Sequence, residues 1–139
     1  MKTFVQKIVS TDKIFTLNHQ EEVAFVGSNL FTMNDGSPVP VWCFWSDENL
    51  ARKHKQADWS SFEVMEIPLG NFLEDILVSI TNEGYIVGFD FNEELIGTEV
   101  DPIDLLLEII TQLKANHQSV EFEYFKDLND LETQARKLL

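Results

Sequence analysis

Residues 56–113 contain no lysine, arginine or histidine, against 13 aspartates and glutamates. The flanks are nearly balanced, with six acidic and six basic residues in 1–55 and five and four in 114–139, so this block carries almost all of the net charge of −14. Affinity for nucleic acid rests on Lys and Arg neutralising phosphates, and no nucleic-acid partner is expected. Cysteine is scarce as well. Cys43 stands alone, which excludes an intramolecular disulfide and suits a reducing compartment.

Long apolar runs are missing too. The longest, 38–45, falls far short of the ~18–20 residues of a membrane-spanning helix, and residues 1–10 carry lysines rather than the apolar core of a signal peptide. The expected address is the cytosol, away from membranes. The histidines His19, His54 and His117 lie far apart, with no second cysteine to complete a zinc set. They read as surface residues, and no metal or cofactor is expected.

What the chain does have is clearest in 61–92. Phe62, Val64, Met65 and Ile67 form an apolar run ended by Pro68, which extends the residue before it and suits the first turn of a helix. Leu69, Phe72, Leu73, Ile76, Leu77 and Ile80 then follow one stripe at helical period, with Glu74, Asp75, Ser79 and Asn82 facing away. Gly84 fits the left-handed position past a helix end. Tyr85, Val87, Phe89 and Phe91 share one pleat face of a strand.

Before this unit, Phe4, Val5, Ile8 and Val9 predict a helix stopped by Ser10, Thr11 and Asp12. Strands are expected at 14–17 and 23–27, joined by the polar residues 18–21. Residues 28–37 contain Asn34-Asp35-Gly36, a strong turn signal. The strand 39–45 sets Val39, Val41, Cys43 and Trp45 against Pro40, Trp42 and Phe44; apolar on both faces, it is a buried strand, with Pro40 marking an edge or a strand start. Ser46 or Asp47 caps a short helix to about Gln56, with Leu50, Ala51 and His54 inward. Its basic cluster, Arg52-Lys53-His54-Lys55, suits a helix C-terminus, and no glycine-rich phosphate loop accompanies it.

After the unit, 95–100 reads as a strand, and Asp101-Pro102 as the cap and first turn of a helix through Lys114. Ile103, Leu106, Leu107, Ile110 and Leu113 make its apolar face, widened by Leu105 and Ile109. A helix so broadly apolar is covered twice within the chain or forms a homodimer. Alternation at 120–125 predicts a short strand, and Leu128, Leu131, Ala135 and Leu138 a last helix. The whole is expected to be one α+β domain over 1–139, a largely antiparallel sheet with helices packed against it.

Residues 35–42 (DGSPVPVW), 66–73 (EIPLGNFL) and 83–87 (EGYIV) resemble the bacterial domain-of-unknown-function 2750 family (DUF2750). The general layout is also distantly similar to SseB-like domains. The resemblance covers about residues 4–115, with 116–139 as an extension, and implies a small intracellular bacterial protein. No catalytic residue carries over, because the shared residues are turn, cap and core types.

The residues themselves offer little chemistry. Asp90-Phe91-Asn92-Glu93-Glu94 lacks the glycine at position six and the glutamate at position twelve of a calcium loop, where Leu95 and Asp101 stand. Cys43, in an apolar strand, is expected to be inert. Two function classes remain. One is a non-enzymatic module, an immunity-type inhibitor or regulatory adaptor, that docks a basic protein on an acidic face of Glu74, Asp75, Glu83, Glu93, Glu94, Glu99 and Asp104. The other is an enzyme or small-ligand binder with a cleft near Trp42, Trp45 and Trp59.

Overall fold

Apolar residues on both pleat faces make β1 (Lys13–His19) and β4 (Pro38–Phe44) the wall between two cores. Ile14 and Phe44 enter the larger core, while Phe15, Leu17, Val41 and Cys43 enter the smaller. A computed structural model, which describes residues 1–92, 94 and 97–138, defines both. The fold is α+β. One sheet has the order β2-β1-β5, with β2 Glu22–Val23 and β5 Glu63–Pro68; the other runs β3-β4-β6-β7, with β3 Phe25–Thr32, β6 Ile86–Phe89 and β7 Thr98–Val100. Pairing is antiparallel throughout except for β4 with β6.

The two sheets meet where Phe15 and Trp45 exchange backbone hydrogen bonds of 2.9 and 2.8 Å. Ala24 makes the second junction, donating to Leu17 of β1 and accepting from Cys43 of β4. The strand expected at 23–27 is therefore two strands, and the polar loop at 18–21 shrinks to Gln20 and Glu21, both at positive φ (48° and 72°). Positive φ at both central residues is the signature of a tight turn that matches strand twist. Pro40 is not on an edge: β4 is interior, and its pairing with β6 begins one residue later, at Val41.

Helices cover the larger core. α1 (Lys2–Thr11) buries Phe4, Val5, Ile8 and Val9 and ends at Asp12 in the left-handed region. The stripe of 69–80 forms α3 (Leu69–Asn71), a π-helical segment (Phe72–Ile76) and α4 (Leu77–Glu83) in succession. The wide middle turn leaves Ile76 half-buried and turns Glu74 inward, against the expectation that it faces solvent. Gly84 closes α4 at φ 74°, its N–H and that of Tyr85 reaching Thr81 and Ile80. The strands on either side of this rod, β5 and β6, lie in different sheets.

The strand expected through Phe91 stops at Phe89, because Asp90 sits at φ 50°. That one residue sends Phe91 to the smaller core, away from Phe89, where its ring packs over Gly88. The expected strand at 95–100 is seen as β7; Leu95 and Ile96 lie outside the described residues.

α5 (Pro102–Ala115) starts on the Asp101 carboxylate, which accepts the Ile103 N–H at 2.8 Å. Its broad apolar face is covered within the chain by α1, α4 and α6 (Leu128–Arg136), leaving Leu107 half-buried. Lys114 of α5 pairs with Glu132 of α6 at 3.1 Å and, with Arg136, holds that carboxyl below the usual range. No helix among the described residues is long and apolar enough to cross a membrane.

Candidate functional site

The acidic candidates do not all face outward. Glu74 is buried: Oε1 and Oε2 accept the Glu123 N–H at 2.9 and 3.1 Å, and Oε2 also accepts the Tyr124 N–H at 3.0 Å. Two N–H groups of the stretch expected as a strand at 120–125 go to this carboxylate, and no strand forms there. The same stretch passes so close to the rod that a Cβ on Gly70 would sit 3.1 Å from the Glu121 carbonyl.

Glu99, half-buried on β7, accepts from the Ser28 hydroxyl at 2.5 Å and the Asn29 N–H at 3.1 Å. Asp75 is half-buried, whereas Glu83, Glu94 and Asp104 are exposed; Glu93 lies outside the described residues.

Glu99 braces the feature that the sequence hid most completely. Residues 28–37 are not simply a turn: β3 runs to Thr32, and its register with β4 jumps between Gly27, opposite Pro40, and Thr32, opposite Pro38. Four residues, 28–31, therefore face the single residue Val39 and bulge outward. The Ser28 hydroxyl accepts the N–H groups of Leu30 and Phe31 at 3.0 and 2.9 Å, so the bulge is ordered. At the tip, Gly36 (φ 88°) closes the turn and Asp35 accepts from Ser37 N and Oγ, bonds that lower the Asp35 pKa. Along this hairpin Phe25 is 56% exposed, Leu30 70%, Phe31 49% and Met33 41%.

Trp42 is parted from the other two tryptophans. Trp45 is fully buried in the smaller core, donates Nε1–H to the Phe91 carbonyl at 3.0 Å and meets Trp59 edge-on at 6.2 Å. Trp42 lies on the opposite face, beside Tyr85 with ring centroids 6.2 Å apart and planes at 50°. Phe25, Pro40, Trp42 and Tyr85, with Glu21 and Glu22, line a cavity of about 280 Å³ on that face.

His54 faces inward, as the spacing of the short helix predicts and against its reading as a surface histidine. At the end of α2 (Glu48–Lys53) it is buried against Trp45, ring centroids 4.8 Å apart, while Leu50 is exposed. Its Nδ1 lies 2.7 Å from the Leu50 carbonyl and its Nε2 2.8 Å from the Asn92 carbonyl, tying the helix to the segment after β6. Asp90 fixes the other side of that segment, accepting from Ser46 N at 2.8 Å and Ser46 Oγ at 3.0 Å. The Cys43 thiol is pushed up to about 12 by burial and by Glu99, so it offers no thiolate nucleophile near neutrality. Among the described residues no three His, Cys, Asp or Glu side chains converge as a metal site.

Together these features define an α+β domain with an ordered, apolar, protruding hairpin and an aromatic cavity at its base. Residues 1–109 match the family described as protein of unknown function (DUF2750). The chain belongs to that family, and the match ends inside α5, before the stretch held by Glu74. No curated protein and no solved structure matches the chain.

Proposed function

We propose that this protein is a non-enzymatic binding module that docks a basic protein partner through the β3–β4 hairpin. The observation that carries the reading is the exposure of Phe25, Leu30, Phe31 and Met33 on one ordered hairpin. Exposed apolar side chains gathered in this way mark interaction sites more often than scattered ones do.

The partner's chemistry follows from the surroundings. Residues 14–51 contain no lysine or arginine, and Glu21, Glu22 and Asp35 are exposed beside the apolar side chains. An apolar acceptor rimmed with Lys and Arg complements such a surface, and opposite charge speeds encounter. A second copy would instead bring like charge together on a chain of net −14. Recognition runs through side chains rather than strand addition, because the N–H groups of Asn29, Leu30 and Phe31 are already taken. A regulatory adaptor or an inhibitor of a basic protein fits this description, and a reducing cytosol suits its single buried thiol.

The test compares immobilised wild-type chain with the double variant Leu30→Ser/Phe31→Ser, both checked for native circular dichroism, in native lysate at low and high salt. A species retained by wild type at low salt, weakened by salt and lost with the variant is expected. Equal retention by the variant, or retention indifferent to salt, overturns the proposal.

A further inference from the structure

The cavity beside the hairpin is built from aromatic residues of β3 and β4 and from the residue just before β6. Phe25 stands directly opposite Trp42, and Val87 is the partner of Trp42 on its other side. Tyr85, two residues before Val87, points to the same pleat face. The strand order β3-β4-β6 thus sets Phe25, Trp42 and Tyr85 side by side, and the 50° angle between the Trp42 and Tyr85 planes leaves a notch rather than a stack.

Two glutamates, Glu21 and Glu22, also line the cavity. Glu22 opens β2, and Glu21 stands in the tight β1–β2 turn at φ 72°. Asn or Gly would fill that turn position with less backbone strain. Neither glutamate has a Lys or Arg partner among the described residues, whose ion pairs all lie elsewhere. The faces of aromatic rings carry negative potential and attract cations. Rings and carboxylates here therefore present charge of one sign to one open cavity of about 280 Å³.

We propose that this cavity binds an alkylammonium group, namely a lysine side chain of the partner, with Trp42, Tyr85 and Phe25 around the ammonium and Glu21 and Glu22 as its counter-charge. The inference rests on the reading of the protein as a module for a basic partner, and it names the group that the module would grip. The methylenes of lysine lie along the rings and Pro40, while the charge sits toward the glutamates.

The test follows the Trp42 indole resonance of the full chain by NMR during separate titrations with N-acetyl-lysine methylamide, choline and 3,3-dimethyl-1-butanol, the last being a neutral isostere of choline. Saturable shifts with both cations are expected, with the neutral alcohol at least about 10-fold weaker. Tyr85→Leu is expected to weaken cation binding by about 3- to 30-fold, the range of one cation–π contact. Glu21→Gln/Glu22→Gln, confined to the surface, keeps the test open should the aromatic variant misfold, and is expected to weaken binding and flatten its salt dependence. A shift that does not saturate, or equal affinity for the neutral alcohol, overturns the proposal; saturation by choline alone overturns the assignment to a lysine side chain. Cation binding together with unchanged partner capture by the hairpin variant would remove the docking reading and leave the cavity. Loss of partner capture without cation binding would do the reverse.

Discussion

The carboxylate of Glu74 accepts the backbone N–H of Glu123 with both oxygens, at 2.9 and 3.1 Å, across 49 residues of sequence. A buried acid on the rod thereby fixes the path of the chain between α5 and α6, and neighbouring Gly70 leaves room for that path.

Replacing Glu74 with alanine is expected to cost about 2 kcal/mol, since hydrogen bonds to a charged acceptor contribute more than neutral ones and the two N–H groups lose their partner. Glu74→Gln keeps one acceptor oxygen and is expected to cost less. Urea unfolding gives the energies, and hydrogen exchange is expected to quicken at Glu123 and Tyr124 in both variants. Unchanged exchange there would show that the contact does not hold the segment.

His54→Phe keeps a ring against Trp45 but withdraws both nitrogens from the Leu50 and Asn92 carbonyls. A loss of roughly 1–3 kcal/mol is expected, since the imidazole N–H that reaches one of these carbonyls is removed, with faster exchange in the segment after Phe89. A variant as stable as wild type would mean that the clasp contributes nothing.

Cys43 gives a pH dependence with a defined sign. Its thiol ionises at an ordinary value of 9.0 in the unfolded chain and at about 12 in the fold. Between those values the unfolded state sheds a proton that the native state keeps, so the contribution is full below pH 9 and is lost as pH rises toward 12. Relative to Cys43→Ala, wild type is expected to lose about 1.4 kcal/mol of stability per pH unit in that window. Parallel stability curves for the two proteins would contradict this.

Much of the fold was legible because periodicity and local punctuation agreed. The caps at Asp47 and Asp101, the left-handed Gly84 and the two apolar faces of β4 follow from local chemistry. What was not legible depends on contacts distant in sequence. Glu74 reads as solvent-facing because its partners lie some 50 residues on. The alternating pattern at 120–125 forms no ladder, and its Glu123 and Tyr124 N–H groups bond that acid instead. Phe91 follows the pleat of Phe89 in sequence and leaves it through the positive φ of Asp90. Of the three tryptophans, the parity of a strand correctly parts Trp42 from Trp45, but nothing local reveals Tyr85 or Glu21 beside Trp42. Leu30 and Phe31, in a stretch rich in turn residues, gain their meaning only from Ser28 and Glu99.

Site-specific photocrosslinking tests the docking claim most directly. With p-benzoylphenylalanine at Phe31 on the hairpin, or at exposed Thr133 on α6 as a control, and irradiation in cells, a discrete heterologous adduct is predicted at Phe31 and not at Thr133. Adducts at both positions alike, or none at Phe31, would contradict the account.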